Sequence, residues 1–83
     1  MRIMYQTIFY KFQKILVKLT KVKKKKININ TYFQNDLGMS DEDLIDLARI
    51  IEHEFDIVMP EDILYEFNTV GEIVGFIEQE IGR

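Results

Sequence analysis

Apolar residues recur at steps of three and four in separate stretches of this 83-residue chain, and nowhere do they alternate over a useful length. The first spacing belongs to one face of an α-helix and the second to a half-buried strand, so the pattern predicts an all-α fold. No Asn-Gly or Asp-Gly pair marks a hairpin, and no internal repeat is present. A chain of this length holds one small core, which predicts a single domain over 1–83.

Met4, Ile8, Phe12, Ile15, Leu19 and Val22 place a first helix at about 2–22, and Tyr5, Phe9 and Leu16 widen its apolar side. Lys11, Lys14, Lys18, Lys21 and Lys25 follow the same period beside that row. A loop over about 23–39 begins with Lys23 to Lys26 and is expected to be tacked to the core by Ile29, Phe33 and Leu37. Ser40, with a carboxylate three residues later at Asp43, is close to a capping box and starts a helix over about 41–55. Leu44, Leu47, Ala48, Ile51 and Phe55 form its inward arc. Pro60 suits the first turn of a short third helix over about 60–67. Thr69 caps a last helix over about 70–81, with Val70, Ile73, Val74, Ile77 and Ile81 inward and Gly82 as its stop. The expected fold is a four-helix bundle with a short third helix and a long loop between the first two.

The net charge of -3 conceals a division. Residues 1–26 carry nine Lys/Arg and no Asp/Glu, whereas residues 27–83 carry fourteen Asp/Glu and only Arg49 and Arg83 as cations. Clustered like charges steer partners of opposite sign, so both halves call for an explanation.

Several chemistries are excluded. The absence of Cys removes a disulfide framework, a thiolate zinc site and a cysteine nucleophile. His53 is the only histidine, so no metal-ligand spacing arises, and the acidic residues lack the spacing of a calcium loop. There is no nucleophile paired with a base and no glycine-rich phosphate loop, so no catalytic residue and no enzyme activity are expected. No charge-free stretch approaches the roughly 20 apolar residues that span a bilayer, and nothing resembles a secretory signal. A cytoplasmic location is expected.

From about Ile27 onward, Asp36-Leu37-Gly38, Glu54-Phe55-Asp56, Met59-Pro60 and Thr69-Val70 follow one another in an order and spacing that resembles the acyl carrier proteins. Members of that family are small acidic four-helix bundles that hold an acyl chain on a phosphopantetheine arm. The resemblance implies a carrier-like protein serving acyl-transfer enzymes of fatty-acid or secondary-metabolite type. The first helix matches in position only, since the family is usually acidic there.

One departure bears on the arm. The family attaches it to the serine of an Asp-Ser-Leu triplet just after Asp-Leu-Gly, and here those places hold Ser40-Asp41-Glu42. Asp41 occupies the attachment position, and a carboxylate cannot accept the phosphodiester. Shifting the register to use Ser40 would turn Leu44, Leu47 and Ile51 by about 100° and cost the helix its buried face. Ser40 therefore reads as an N-cap, and Asp41 as a first-turn carboxylate favoured by the helix dipole or supplying the negative charge of the missing phosphate. No prosthetic group is expected; the alternative is an active carrier with phosphopantetheine on Ser40.

Glu42, Asp46, Arg49 and His53 fall opposite the inward arc of the second helix, flanked by Ile45 and Ile50. Apolar residues within an exposed charged face are a common interface composition. Glu42, Ile45, Asp46, Arg49 and Ile50 are accordingly the expected docking surface of a monomer, in keeping with the way carrier proteins present this helix to basic patches on partner enzymes. From a different class, the basic first helix offers a module binding anionic membrane or nucleic acid. A core helix with solvent-facing lysines is the preferred reading, because the other helices need a fourth element to cover them. Nucleic acid is not expected as a partner, and peripheral membrane contact stays open.

Overall fold

In a computed structural model the chain is described over residues 2–60 and 62–82, with the backbone alone for Arg2 and Ile3. It forms α1 at Arg2–Thr20, α2 at Asp41–Phe55, α3 at Ile63–Glu66 and α4 at Val70–Ile81. A short 3₁₀ turn at Lys24–Lys26 interrupts the long loop after α1. Among the described residues there is no strand, only one antiparallel bridge between Tyr32 and Thr69. The architecture is the all-α bundle that the helical spacing predicts.

Packing selects which of α1's many apolar residues go inside. Ile8, Phe12 and Leu16 are buried, with Tyr5, Phe9, Ile15, Val17, Leu19 and Val22 packed partly against them. Met4, expected on the inward row, is 36% exposed. The row is rotated from expectation because α1 packs chiefly on α4, whose Val70, Ile73, Val74 and Ile77 are fully buried. Phe12 meets Phe33 edge-on, with ring centroids 6.2 Å apart, in a favourable aromatic geometry. At the far end of α4, Ile81 is 37% exposed and does not join the core as expected.

The helix ends have local causes. α1 stops at Thr20 instead of Val22, because the Thr20 hydroxyl donates to Leu16 O at 2.8 Å and accepts from Val22 N at 3.2 Å while Lys21 turns left-handed at φ 65°. α3 begins at Ile63, three residues after Pro60, whose carbonyl accepts from Ile63 N at 3.1 Å. Pro60 opens a turn ahead of the helix, and Glu61 of the expected 60–67 span lies outside the described residues.

The long loop is held by different residues from those expected. Phe33 and Leu37 are buried, but Ile29 is 45% exposed; Ile27, Thr31 and Met39 take its place. Gln13, buried on α1, donates its amide to Lys24 O at 3.1 Å and Ile27 O at 2.9 Å, so it bonds the loop's carbonyls to the helix. The loop then docks on the start of α4, with Gly71 N donating to Ile29 O at 2.8 Å and Val70 N to Thr31 O at 3.0 Å.

Candidate functional site

The segment leading into α2 is a compact turn. Tyr32 O accepts from Asp36 N at 3.1 Å and Leu37 N at 3.2 Å, and the Asp36 carboxylate accepts from Tyr32 N at 2.8 Å. Gly38 follows in the left-handed region at φ 65°, a conformation that costs a glycine little. Met39 N then donates to Phe33 O at 3.0 Å, and the buried Met39 side chain fixes the approach to Ser40.

Ser40 is the N-cap of α2. Its hydroxyl oxygen accepts from Asp43 N at 3.2 Å, and the Asp43 carboxylate accepts from Ser40 N at 2.9 Å. This reciprocal pair satisfies two donors that the helix start would otherwise leave open. Asp41 is the first helical residue and is exposed. With Glu42 and Asp43 it puts three carboxylates in the first turn, where the helix dipole favours negative charge.

At the position that the family resemblance assigns to the arm stands a carboxylate, Asp41, with the Ser40 hydroxyl one residue before it. Asp41 offers carboxylate oxygens, and the neighbouring Ser40 hydroxyl oxygen accepts in the cap.

Of the expected docking residues, Glu42, Ile45, Asp46 and Arg49 are exposed, Ile45 to 46%. His53 shares that exposed side. Ile50 departs from expectation: it is half-buried and lines a groove shared with α1. The helical wheel of α2 alone could not show that Ile50 faces a groove bounded by α1.

Ile45 borders a second groove, of about 370 Å³, running between α2 and α3. Leu44, Ala48, Met59, Leu64 and Tyr65 line it with Ile45. Across its rim the Glu52 carboxylate accepts from Met59 N at 2.9 Å, tying the chain after α2 back to the helix. Met59, Leu64 and Tyr65 were not anticipated as site residues; the only sequence signal for them is the short apolar run around α3.

A family model described as the phosphopantetheine attachment site matches residues 11–77. The acyl carrier protein of Picosynechococcus sp. is 34% identical to the chain over 79 residues, covering 95% of this chain and 98% of that protein. The chain belongs to the acyl carrier protein family. The acyl carrier proteins of Trieres chinensis, at 34% identity, and Borrelia garinii subsp. bavariensis, at 35%, each align over 75 residues, 90% of this chain and 94% of theirs. A solution structure of the apo doublet acyl carrier protein from prodigiosin biosynthesis has the same fold, with a TM-score of 0.76 over 92% of this chain at 21% identity. The chain spans 37% of that doublet. As an acyl carrier protein relative, it belongs among carriers and not among enzymes, and its family works with acyl-transfer and biosynthetic enzymes.

Proposed function

We propose that this protein is a carrier-fold docking subunit for acyl-transfer enzymes of fatty-acid or secondary-metabolite type, engaging them through α2 without a phosphopantetheine arm at Asp41. The reading is supported by Ser40 standing as the N-cap of α2 with Asp41 as its first helical residue, in the place that the family resemblance assigns to the attachment serine. A carboxylate attacking phosphorus would give a readily hydrolysed mixed anhydride, whereas a stable arm needs a hydroxyl oxygen. The charge that a phosphodiester would bring is already present in Asp41, next to the positive end of α2.

Docking then follows from the geometry of α2. Asp41, Glu42 and Asp46 present charge to a basic surface and speed the encounter. Ile45, at the edge of the α2–α3 groove, supplies an apolar anchor beside that charge.

A second reading places the arm on Ser40. It is favoured by that residue's exposure and by the cap, which uses the hydroxyl oxygen as an acceptor and makes no demand on its proton. Intact mass after incubation with a phosphopantetheinyl transferase and coenzyme A decides between the two. No gain is expected, with a carrier bearing the family serine modified alongside as control. A gain of one phosphopantetheine, lost in Ser40→Ala, would establish Ser40 and overturn the proposal. The double variant Ser40→Asp/Asp41→Ser restores the Asp-Ser pair, with Glu42 still in the place of the family's leucine, and is expected to accept the arm.

A further inference from the structure

The docking reading makes no use of the basic half of the chain. Lys11, Lys14 and Lys18 are exposed on α1, about 120 to 130° round the helix from the buried row of Ile8, Phe12 and Leu16. Lys23 to Lys26 are all exposed as well, and the turn at Lys24–Lys26 brings Lys24 to the wall of the groove that Lys11, Lys14 and Lys18 line. That groove, of about 670 Å³, lies between α1 and the later part of α2. Ile15, Leu19 and Ile50, all half-buried, give it an apolar lining, and Glu54 is its only carboxylate. Four ammonium groups against one carboxylate leave the groove at +3.

We propose that this lysine-rimmed groove docks the protein on an anionic phospholipid bilayer, with lipid phosphates on the lysines and the upper acyl methylenes against Ile15, Leu19 and Ile50. Charge complementarity selects an anion, since residues 1–26 contain no Asp or Glu. The lining selects among anions. A single-stranded nucleic acid would call for aromatic stacking surfaces, and the groove is lined by none. Inorganic phosphate would use the lysines and leave the aliphatic wall without a role. A phospholipid uses both parts.

The orientation is consistent with the carrier fold. Ile50 and Glu54 lie a little under a quarter turn round α2 from Glu42 and Asp46, by the helical step of about 100° per residue. A protein resting on lipid through α1 therefore turns the acids of α2 sideways, away from the like-charged bilayer and free to meet a partner. The lipid contact does not depend on whether α2 docks or carries an arm.

Sedimentation of the full chain with vesicles tests this. Binding is expected at low salt to phosphatidylcholine vesicles containing phosphatidylglycerol, and not to phosphatidylcholine alone. Lys14→Glu/Lys18→Glu, exposed positions whose helix signature is checked by circular dichroism, is expected to weaken partitioning at least tenfold. Ile15→Ser is expected to weaken it several-fold at unchanged charge. Glu42→Lys/Asp46→Lys is expected to retain it, which separates this surface from the docking face. The proposal is overturned by absence of binding to the anionic vesicles or by binding indifferent to lysine reversal. Loss of vesicle binding to equimolar inorganic phosphate, or a lysine-dependent preference for RNA over vesicles, overturns it too. If Ile15→Ser leaves partitioning unchanged, the groove has no part in it and the proposal falls.

Discussion

Gly71 donates its N–H to Ile29 O at 2.8 Å, and a Cβ placed on Gly71 would stand 2.9 Å from that same oxygen and 3.1 Å from Ile29 Cβ. The carbonyl is backbone, fixed by the loop's docking on α4, so it cannot swing aside as a flexible side chain would. Gly71→Ala is expected to destabilise the protein by about 1–3 kcal/mol through this overpacking. Gly75, on the same helix, has nothing within 4 Å of its built Cβ. There Gly75→Ala should stabilise by up to about 1 kcal/mol from helix propensity alone. Urea denaturation of both variants checks the contrast, and equal shifts of the same sign would refute it.

Gln13 connects the lysine-rich loop to α1 through Lys24 O and Ile27 O, while its own Oε1 is buried without a partner. Gln13→Leu keeps a good helix former but leaves the Ile27 carbonyl without its buried donor. A loss of about 1–3 kcal/mol is expected, since an unsatisfied buried group costs more than a hydrogen bond gains. Thermal unfolding of this variant beside an exposed control, Gln6→Leu, isolates the effect.

That amide marks where the sequence stops being readable. α2 and α4 were legible because a capping residue, a carboxylate three places on and an apolar row all agree at Ser40 and Thr69. Gln13 gave no such signal: its burial depends on the path of a loop backbone, which side-chain spacing does not encode. Ile27 displaced Ile29 for the same reason. In α1 the apolar set is so wide that periodicity allows several inward faces, and only the position of α4 selects Ile8, Phe12 and Leu16 over Met4. At the site, the cap at Ser40 could be read from its spacing to Asp43, whereas the half-burial of Ile50 could not, because Ile50 faces a groove bounded by a helix remote in sequence.

Glu72 completes the cap of α4, accepting from Asn68 N at 2.7 Å and Thr69 N at 3.0 Å. These two backbone donors, Asn68 first, hold its carboxyl below the ordinary value despite an opposing desolvation. The folded state thus prefers the ionised form. Its contribution is complete above the unfolded carboxyl's value of about 4.3 and is lost as pH falls through the lower folded value. In Glu72→Gln, the amide oxygen can still accept but does not titrate. Urea midpoints measured from neutral to acid pH should therefore fall less steeply for this variant than for the parent.

Ser40 can be tested apart from any arm. Ser40→Ala removes the acceptor for Asp43 N and should cost about 0.5–2 kcal/mol while the far-UV helical signature stays unchanged. Ser40→Gly should cost only a few tenths, because glycine is tolerated at an N-cap. If both variants match the parent in chemical denaturation, the hydroxyl is not a cap and is free for another use.

The acidic face of α2 makes a kinetic prediction. Glu42 and Asp46 are exposed and off the buried arc, so Glu42→Lys/Asp46→Lys should leave the fold intact. Long-range attraction acts before contact, so the double reversal should slow association with a basic partner enzyme and flatten its dependence on salt. Ile45 is different: its 46% exposure beside the α2–α3 groove offers apolar area that is desolvated only once the complex forms. Ile45→Ser should consequently raise the dissociation rate with little change in the association rate. Surface plasmon resonance across a salt series separates the two rates. If Lys14→Glu/Lys18→Glu slowed association with such an enzyme as much as reversal on α2 does, the docking surface would have to include α1, because a basic partner gains attraction, not repulsion, from glutamates placed there.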